Sequence, residues 1–106
     1  MNIQFKKGVL ELCVLSLLAR RDYYGYEISD ALESGVAMAE GSVYPLLRRL
    51  KDEGFVETYL VEASGGPPRK YYRITSSGQS WRAELAMEWR AFALAVDAIA
   101  EAGNGP

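Results

Sequence analysis

Two basic segments, separated by a short apolar stretch, constrain the fold of this chain more than any other feature of its sequence. The first, residues 42–51, reads SVYPLLRRLK, and the second, residues 64–73, reads SGGPPRKYYR. Together they hold six of the twelve cations and none of the fourteen carboxylates, in a chain whose net charge is −2. The sequence therefore predicts a positive face on a slightly acidic body, and such a face is an adequate electrostatic footprint for duplex nucleic acid.

The first basic segment has the punctuation of a helix. Ser42 is a strong N-cap candidate, and Pro45 falls in the first turn, where no intrahelical N–H is required. Gly54 follows the segment and is suited to a left-handed C-cap. An apolar stripe at i, i+3, i+4 and i+7 spacing is formed by Val43, Leu46, Leu47 and Leu50. The opposite face, which is available for contact, presents Tyr44, Pro45, Arg48, Lys51 and Asp52, with Arg49 on its flank.

The second basic segment has the pattern of a β-hairpin. Residues 55–63 and 69–75 are rich in β-branched and aromatic residues, and they flank a tip, 64–68, that contains two glycines and two prolines. Thr75 or Ser76 then caps a final helix that is expected to end near Ala102. A cationic helix followed by a cationic hairpin predicts a winged helix, which grips duplex DNA with these two elements.

Two apolar helices are expected before the basic helix. Residues 3–19 are apolar on more than one face, which indicates burial on several sides. A second helix begins at Gly25 or Tyr26 and runs to about Glu33, with Gly35 as its stop. Its residues available to the core are Tyr26, Ile28, Ala31 and Leu32. The predicted class is therefore α+β: a winged helix-turn-helix of three helices and a hairpin wing, followed by a long C-terminal dimerisation helix.

The last helix carries a heptad-like stripe that extends beyond what the rest of the chain could cover. It is too short for a stable coiled coil alone, so a symmetric second subunit is the economical partner. Trp81 and Trp89 are both expected to pack in that dimer. The stripe has spacings of 4, 3, 4 and 3 and consists of Leu85, Trp89, Phe92, Val96 and Ile99.

Composition argues against catalysis, bound metal and a membrane span. The chain has no histidine and one cysteine, and its carboxylates are scattered, so no metal or general-base constellation is evident. No phosphate-loop pattern occurs, and no cofactor is expected. The apolar run 9–19 is interrupted by Glu11 and is shorter than the roughly 20 residues that span a bilayer. A lone cysteine, Cys13, excludes an intramolecular disulfide and favours an intracellular, cytoplasmic location.

The basic helix and the wing can be assigned contacts with DNA, because the major groove admits an α-helix. Ser42 and Tyr44, at the positive end of the helix dipole, can reach phosphates or base edges. Arg48 can pair with guanine or clamp a phosphate, and Arg49 and Lys51 are expected at phosphates. At the wing, Arg69 and Lys70 are expected to follow the backbone or enter the minor groove. An ordinary solvated helix face, with its cations paired to Asp52 and Glu53, remains the alternative for the helix.

At this point the segments resemble a known family, the PadR-type winged-helix regulators. The similarity rests on GSVYPLLRRLKDEGFV at 41–56 and GGPPRKYYRIT at 65–75, followed by Gly78. GVLELCVLSLL at 8–18 and YGYEI at 24–28 are similar to the first two helices of that family. The resemblance covers about residues 5–100, and the short single C-terminal helix resembles the compact subfamily that lacks a separate effector domain.

The resemblance implies a homodimeric transcriptional regulator, usually a repressor, in which the first and last helices form the dimer interface. It places Phe5 and Val9 in that interface beside the stripe of the last helix. It also implies that Pro45 belongs to the recognition helix and Gly66 to the wing. In multidrug-sensing relatives an aromatic residue of the last helix lines a cavity at the dimer interface, and Trp89 falls at that place. A small aromatic effector is therefore a candidate ligand.

The expected organisation is a winged helix-turn-helix over 1–75, a dimerisation helix over 76–102 and a frayed tail over 103–106. The expected function is a cytoplasmic repressor that binds a palindromic DNA operator as a homodimer. Two alternatives stay open: a winged-helix protein-interaction module that does not bind DNA, and a small-molecule sensor that acts through the dimer interface.

Overall fold

The computed structural model describes residues 3–36 and 40–102, with side chains described over 8–36 and 41–101. The predicted order of three helices, a hairpin and a long last helix is confirmed over these residues. The predicted tail, 103–106, lies outside them. The elements in chain order are α1 (Ile3–Arg20), β1 (Tyr23–Tyr24), α2 (Gly25–Val36), a 3₁₀ turn (Glu40–Ser42), α3 (Val43–Asp52), β2 (Val56–Val61), β3 (Arg69–Ile74) and α4 (Ser76–Ala102).

The hairpin is part of a three-stranded antiparallel sheet with the order β1-β3-β2. The short strand β1 was not predicted, because two residues are too few to show a period-2 pattern. Tyr72 of β3 points into the core and is 9% exposed. Tyr71, on the other face, pairs with Tyr59 and Tyr24, with ring centroids 5.7 Å and 6.0 Å away. One face of the sheet thus closes the core and the other carries a row of tyrosines.

The core lies between the first three helices and the sheet. The predicted stripe of α3 is buried throughout, since Leu46, its most exposed member, is only 8% exposed. Burial of one complete helical face leaves the other face of α3 directed outward. The buried apolar residues that form the core are Leu10, Val14, Leu15, Leu18, Ile28, Leu32, Val43, Leu46, Leu47, Leu50, Val56 and Tyr72.

Helix α2 is longer than predicted. Gly35 lies inside the helix, which continues to Val36, so the prediction that Gly35 ends it was wrong. Gly35 is exposed and is absent from the positive-φ glycines of the described chain, so its backbone does not take the conformation that would terminate a helix. Glycine within a helix costs only about 1 kcal/mol relative to alanine, so a single glycine near its end does not by itself terminate α2. The link expected over 36–39 falls mostly on residues 37–39, outside the described residues.

Helix α3 ends in the predicted glycine cap. Gly54 has a φ of 81°. Its N–H donates to the Lys51 carbonyl at 3.0 Å, and the Phe55 N–H donates to the Leu50 carbonyl at 2.9 Å. These two bonds form a Schellman motif, which satisfies the last carbonyls of α3 and turns the chain directly into β2.

Helix α4 begins in close contact with the turn between α3 and β2. Thr75 is its N-cap, because its Oγ1 accepts from the Gly78 N–H at 3.1 Å and also donates to the Gly54 carbonyl at 2.7 Å. Trp81 stacks on Phe55, with ring centroids 5.8 Å apart, and packs against the core. Trp81 therefore packs within its own chain, and the expectation that it also packs in a dimer stays a prediction.

Candidate nucleic-acid interface

The outward face of α3 carries the side chains predicted to contact DNA. The buried stripe fixes the rotation of the helix, so the residues between the stripe positions face solvent. Arg48 and Lys51 form no ion pair with any residue that the structure describes, and both cationic ends are therefore available to a ligand. The exposed residues of this face are Ser42, Tyr44, Pro45, Arg48 and Lys51.

Ser42 occupies the predicted N-cap position without making the capping bond. Its backbone is helical, with φ −86° and ψ −20°, and its side chain makes no hydrogen bond to the first turn. The chain enters α3 through the 3₁₀ turn, whereas a capping serine normally has an extended backbone that aims its hydroxyl at the N–H groups of the helix. The Ser42 hydroxyl is therefore available at the positive end of the helix dipole.

Tyr44 and Arg48 lie close to the buried ring of Tyr72. Burial raises the pKa of the Tyr72 phenol, the proximity of Tyr44 raises it further, and the charge of Arg48 acts in the opposite direction. A Cβ placed on Gly25 would be 3.5 Å from the Tyr72 ring and 3.6 Å from the Tyr44 ring. The start of α2, the outward face of α3 and the sheet thus meet at one place.

Arg49 was also predicted to contact DNA, but its surroundings differ from those of Arg48. Its Nη1 donates to Glu53 Oε1 at 3.0 Å and its Nη2 to Glu11 Oε2 at 3.1 Å. Burial acts to lower the pKa of the guanidinium, but the bonds to Glu11 and Glu53 outweigh it, so the pKa is raised above its usual value. Arg49 is held against the body of the protein by two carboxylates.

The wing holds the second group of predicted contacts. Gly65 has a φ of 76°, and the Gly66 N–H donates to the Ala63 carbonyl at 3.3 Å, so the tip is a tight turn that requires glycine. Arg69 and Lys70 follow the tip and are both exposed. Since successive strand residues alternate between faces, these two cations project from opposite sides of the wing.

Two of the arginines near the wing are engaged by the outer face of the sheet. The Arg69 guanidinium lies 5.1 Å from the centre of the Tyr24 ring. Arg73 donates to Glu57 at 2.8 Å and lies over Tyr59, so its charge is largely matched within the sheet. Among the residues that the structure describes, the wing cations that form no ion pair with a carboxylate are Arg69 and Lys70, which lie nearest to the tip.

The residues predicted for a subunit interface divide into two groups. Leu85 is half-buried and packs against the core of its own chain, and Val9 is half-buried in α1. Phe5 lies in α1, but its side chain is outside the described residues. The remaining members of the stripe are exposed: Trp89 (42%), Phe92 (50%), Val96 (46%) and Ile99 (77%).

A cavity of about 390 Å³ lies between α1 and α4. Trp89 forms part of its wall, as expected for a candidate effector site, and its ring centroid is 6.4 Å from that of Phe92. Asp97 and Arg90 add one charge of each sign to the wall. The other side chains at this cavity include Leu12, Ser16, Ala93 and Leu94.

Sequence reasoning missed two features of this region. Tyr26, in the first turn of α2, is 60% exposed, although the periodicity of α2 assigned it to the core. Glu11 is 8% exposed and joins Arg49 of α3 to Trp81 of α4. A carboxylate within an apolar helix was the available signal, because a buried carboxylate is almost always paired.

Two further searches cover the described residues. Among them, no group of three or more histidine, cysteine or acidic side chains is placed to hold a metal ion. Within the same part of the chain, no helix is both long enough and apolar enough to cross a membrane.

The helices, the sheet and the exposed cations define a winged helix-turn-helix protein of the kind that binds DNA. The model of the PadR-like family of transcriptional regulators matches residues 14–84, more than half of the chain. The chain belongs to this family. The recognition of the family from sequence is thereby confirmed, and so is the expectation that the chain is not an enzyme, because the members of this family are transcriptional regulators.

Solved structures and known proteins support the same assignment. A PadR-like transcriptional regulator from Bacillus cereus is 40% identical with a TM-score of 0.80, and the match covers 91% of this chain and 95% of that one. A PadR family regulator from Eggerthella lenta is 32% identical with a TM-score of 0.80, covering 93% and 88%. The transcriptional regulator YqjI of Escherichia coli is 31% identical over 76% of this chain, which spans only 39% of that protein.

Proposed function

We propose that this chain is a cytoplasmic, homodimeric repressor that binds a palindromic operator in duplex DNA. In this proposal residues 1–75 bind DNA and residues 76–102 join the two subunits. The observation that carries it is the outward face of α3, where Arg48 and Lys51 are exposed and form no ion pair with a described residue, while the opposite stripe is fully buried. Two-fold symmetry places two copies of α3 in successive major grooves, with half-sites about one helical turn apart.

The contacts divide by chemistry. Arg48 is proposed to read guanine or to clamp a phosphate, and Lys51 to contact phosphate, because arginine alone has the planar fork for bidentate pairing. Ser42 and Tyr44 are proposed at phosphates or base edges near the start of α3. Gly66 is proposed to let the wing tip approach the DNA backbone closely. Arg69 and Lys70 are proposed to follow that backbone or to enter the minor groove.

Charge reversal tests the proposed surface. Arg48→Glu combined with Arg69→Glu is expected to weaken binding to the selected operator by at least about a hundredfold, since each good base or phosphate contact contributes about 1–3 kcal/mol. Arg20→Glu combined with Arg90→Glu, at exposed positions of α1 and α4 outside the proposed surface, changes the charge equally and is the matched control. A double variant that stays folded and dimeric and binds duplex as the wild type does would show that the proposed DNA surface is wrong, whereas a wild type that binds no duplex would favour the protein-interaction module.

The operator itself is accessible to selection from random duplexes. A palindromic consensus, with affinity that falls steeply as salt rises, is the expected result. A shallow salt dependence without a consensus would count against sequence-specific regulation. Repression rather than activation is then tested by placing the selected site over a promoter and measuring transcription with and without the protein.

The dimer is proposed from the exposed stripe of α4. Four large apolar side chains on one line of a helix form a patch that soluble monomers rarely leave exposed. A second copy of the same helix covers this patch with two-fold symmetry, so that the patch meets itself.

A small aromatic effector is a secondary proposal, which the cavity beside Trp89 favours. A ring of indole size can stack on Trp89, and the neighbouring charges of Asp97 and Arg90 can bind polar substituents. Planar aromatic compounds are expected to quench tryptophan fluorescence saturably, and Trp89→Phe should weaken this binding. Quenching that is linear in ligand, or that is unchanged in the variant, would exclude Trp89 as an effector site.

A further inference from the structure

The carboxylate of Glu11 is the one point in the described chain where α1, α3 and α4 share a polar contact. Its Oε1 accepts from Trp81 Nε1 at 2.7 Å, and its Oε2 accepts from Arg49 Nη2 at 3.1 Å. Each oxygen thus serves a different helix. Glu11 as a whole residue is 8% exposed and lies on a face of α1 that otherwise packs apolar side chains.

The two carboxylate partners of Arg49 are not equivalent. Glu53 lies one turn further along α3, and both members of that pair are more than 40% exposed, so the bond is local and open to water. Exposed pairs of this kind contribute little to stability. The bond to Glu11 crosses from α3 to α1, and the Glu11 side chain is 11% exposed. This second bond determines where Arg49 lies.

A buried carboxylate needs its hydrogen-bond donors, since removing one leaves a charged group without a partner in a region from which water is largely excluded. Any movement of Arg49 toward a DNA phosphate that breaks its bond to Glu11 leaves Glu11 with only the indole N–H. That loss opposes the contact with phosphate. Arg48, one residue earlier, faces solvent and has no such constraint.

We propose that Glu11 is a positioning residue that fixes α3 relative to α4, and that Arg49 serves this joint instead of contacting DNA. The functional part of this inference rests on the proposed DNA-binding role of α3. Trp81 is in the half of α4 that is bound to the core, and the exposed stripe continues from the same helix. A displacement of α4, by dimer formation or by an effector, therefore reaches α3 through one shared carboxylate.

The first test needs no DNA. In Glu11→Gln an amide NH2 takes the place of one carboxylate oxygen and faces one of the two donors, so one bond is lost. In Trp81→Phe the indole N–H is lost while a ring remains to stack on Phe55. Both variants are expected to speed hydrogen exchange of the α3 amides by about tenfold relative to those of β2 and β3, because a bond to a charged group is lost. Glu53→Gln, which removes the exposed partner of the same arginine, is the matched control and should leave the exchange unchanged.

Exchange rates in α3 that follow the sheet amides in both variants would overturn the inference. The inference is also overturned if Glu53→Gln speeds the exchange of the α3 amides as much as Glu11→Gln does. The exchange test does not need DNA, so its result holds even if the wild type proves not to bind duplex DNA. Failure of the positioning role of Glu11 and failure of the proposed function can therefore be told apart.

The second test uses the selected operator and compares Arg49→Met with Lys51→Met. Affinity falls as salt rises, and the loss of one phosphate contact makes the slope of log affinity against log salt less steep by about one. The loss of a positioning residue weakens binding but leaves this slope unchanged. We expect Lys51→Met to make the slope less steep and Arg49→Met to leave it unchanged. Glu11→Gln and Trp81→Phe should weaken binding in the same way as Arg49→Met, without a change of slope. If Glu11→Gln binds as the wild type does and Arg49→Met lowers the slope, Arg49 is a phosphate contact and the inference is wrong.

Discussion

The two halves of α4 belong to one continuous helix but have opposite surroundings. The first half is bound to its own chain at four places. Thr75 caps it and Gly78 lies close to the backbone of Phe55. Trp81 makes a part-buried hydrogen bond to Glu11, and Leu85 packs against the core. The second half exposes its large apolar side chains, from Trp89 at 42% to Ile99 at 77%.

This difference shows that one heptad pattern can describe two kinds of contact. The stripe from Leu85 to Ile99 has uniform spacing, yet its first member packs on its own core and the later members do not. The core of the chain is closed without the second half of α4. In the proposed dimer that half contacts a partner outside the protomer, and substitutions in the two halves should then have different consequences.

The largest expected effect comes from breaking the apolar surface of the second half. Val96→Glu combined with Ile99→Glu should weaken dimer formation by about a thousandfold or more, because burial of each such side chain contributes about 1.5–3 kcal/mol. Sedimentation velocity should show a monomer, and circular dichroism should show that its helical content is largely retained. Met87→Glu, exposed but outside the stripe, is the control and should remain dimeric. An unchanged dimer in the double variant would place the interface elsewhere.

A substitution in the first turn of α4 should instead destabilise the protomer. A Cβ on Gly78 overlaps the carbonyl oxygen of Phe55 and lies 2.8 Å from Cγ1 of Ile74, so the helix has to move away from the turn. Gly78→Ala is expected to lower the free energy of unfolding by about 3 kcal/mol. Gly8→Ala, at a helical glycine with nothing within 4 Å of the added carbon, is the matched control and should not destabilise. Equal stability of the two variants would show that α4 is not held so closely.

Leu85 and Val96 occupy the same stripe and separate the two kinds of contact directly. Leu85→Ala should lower the free energy of unfolding of the protomer by about 2 kcal/mol, since its side chain packs against the core. Val96→Ala should reduce thermal stability only through the dimer, so that its effect depends on protein concentration. A concentration-dependent loss of similar size in both variants would mean that the whole stripe belongs to the interface.

The smallest effect is expected at the cap that starts α4. Thr75→Val keeps the shape of the side chain but removes the oxygen that accepts from Gly78 and donates to Gly54. A loss of about 1 kcal/mol is expected by chemical denaturation, as for other N-cap substitutions. Ser76→Ala, at an exposed neighbouring position, should be close to neutral. A neutral Thr75→Val would indicate that Ser77, which also donates to the Gly54 carbonyl, holds this turn.

Local patterns predicted most of the elements correctly. The stripe of α3, the glycine cap at Gly54, the hairpin and the start of α4 were all readable because each depends on neighbours in the chain. The errors have different origins. The strand β1 exists because β3, distant in the chain, pairs with it, and α2 continues to Val36 because Gly35 keeps a helical backbone and does not form a left-handed cap.

The candidate site shows the same division. The sequence identified the cations of α3 and the wing and placed Arg49 on the flank of the outward face, but it expected Arg49 to contact phosphate as Lys51 does. Only the arrangement of α1 beside α3 distinguishes Arg49, which Glu11 holds, from its neighbours. That contact joins residues separated by 38 positions, and no spacing within a helix indicates it.

The sequence by itself determined the winged-helix class and the side of α3 that faces outward, because apolar periodicity and capping residues act over a few positions. The tertiary structure alone decided which members of the α4 stripe are used within the chain. It also decided that Trp81 and Arg49 meet at one carboxylate. Burial and pairing of charges depend on elements brought together from distant parts of the chain, and the free energy that selects among such arrangements is not a property of any local segment.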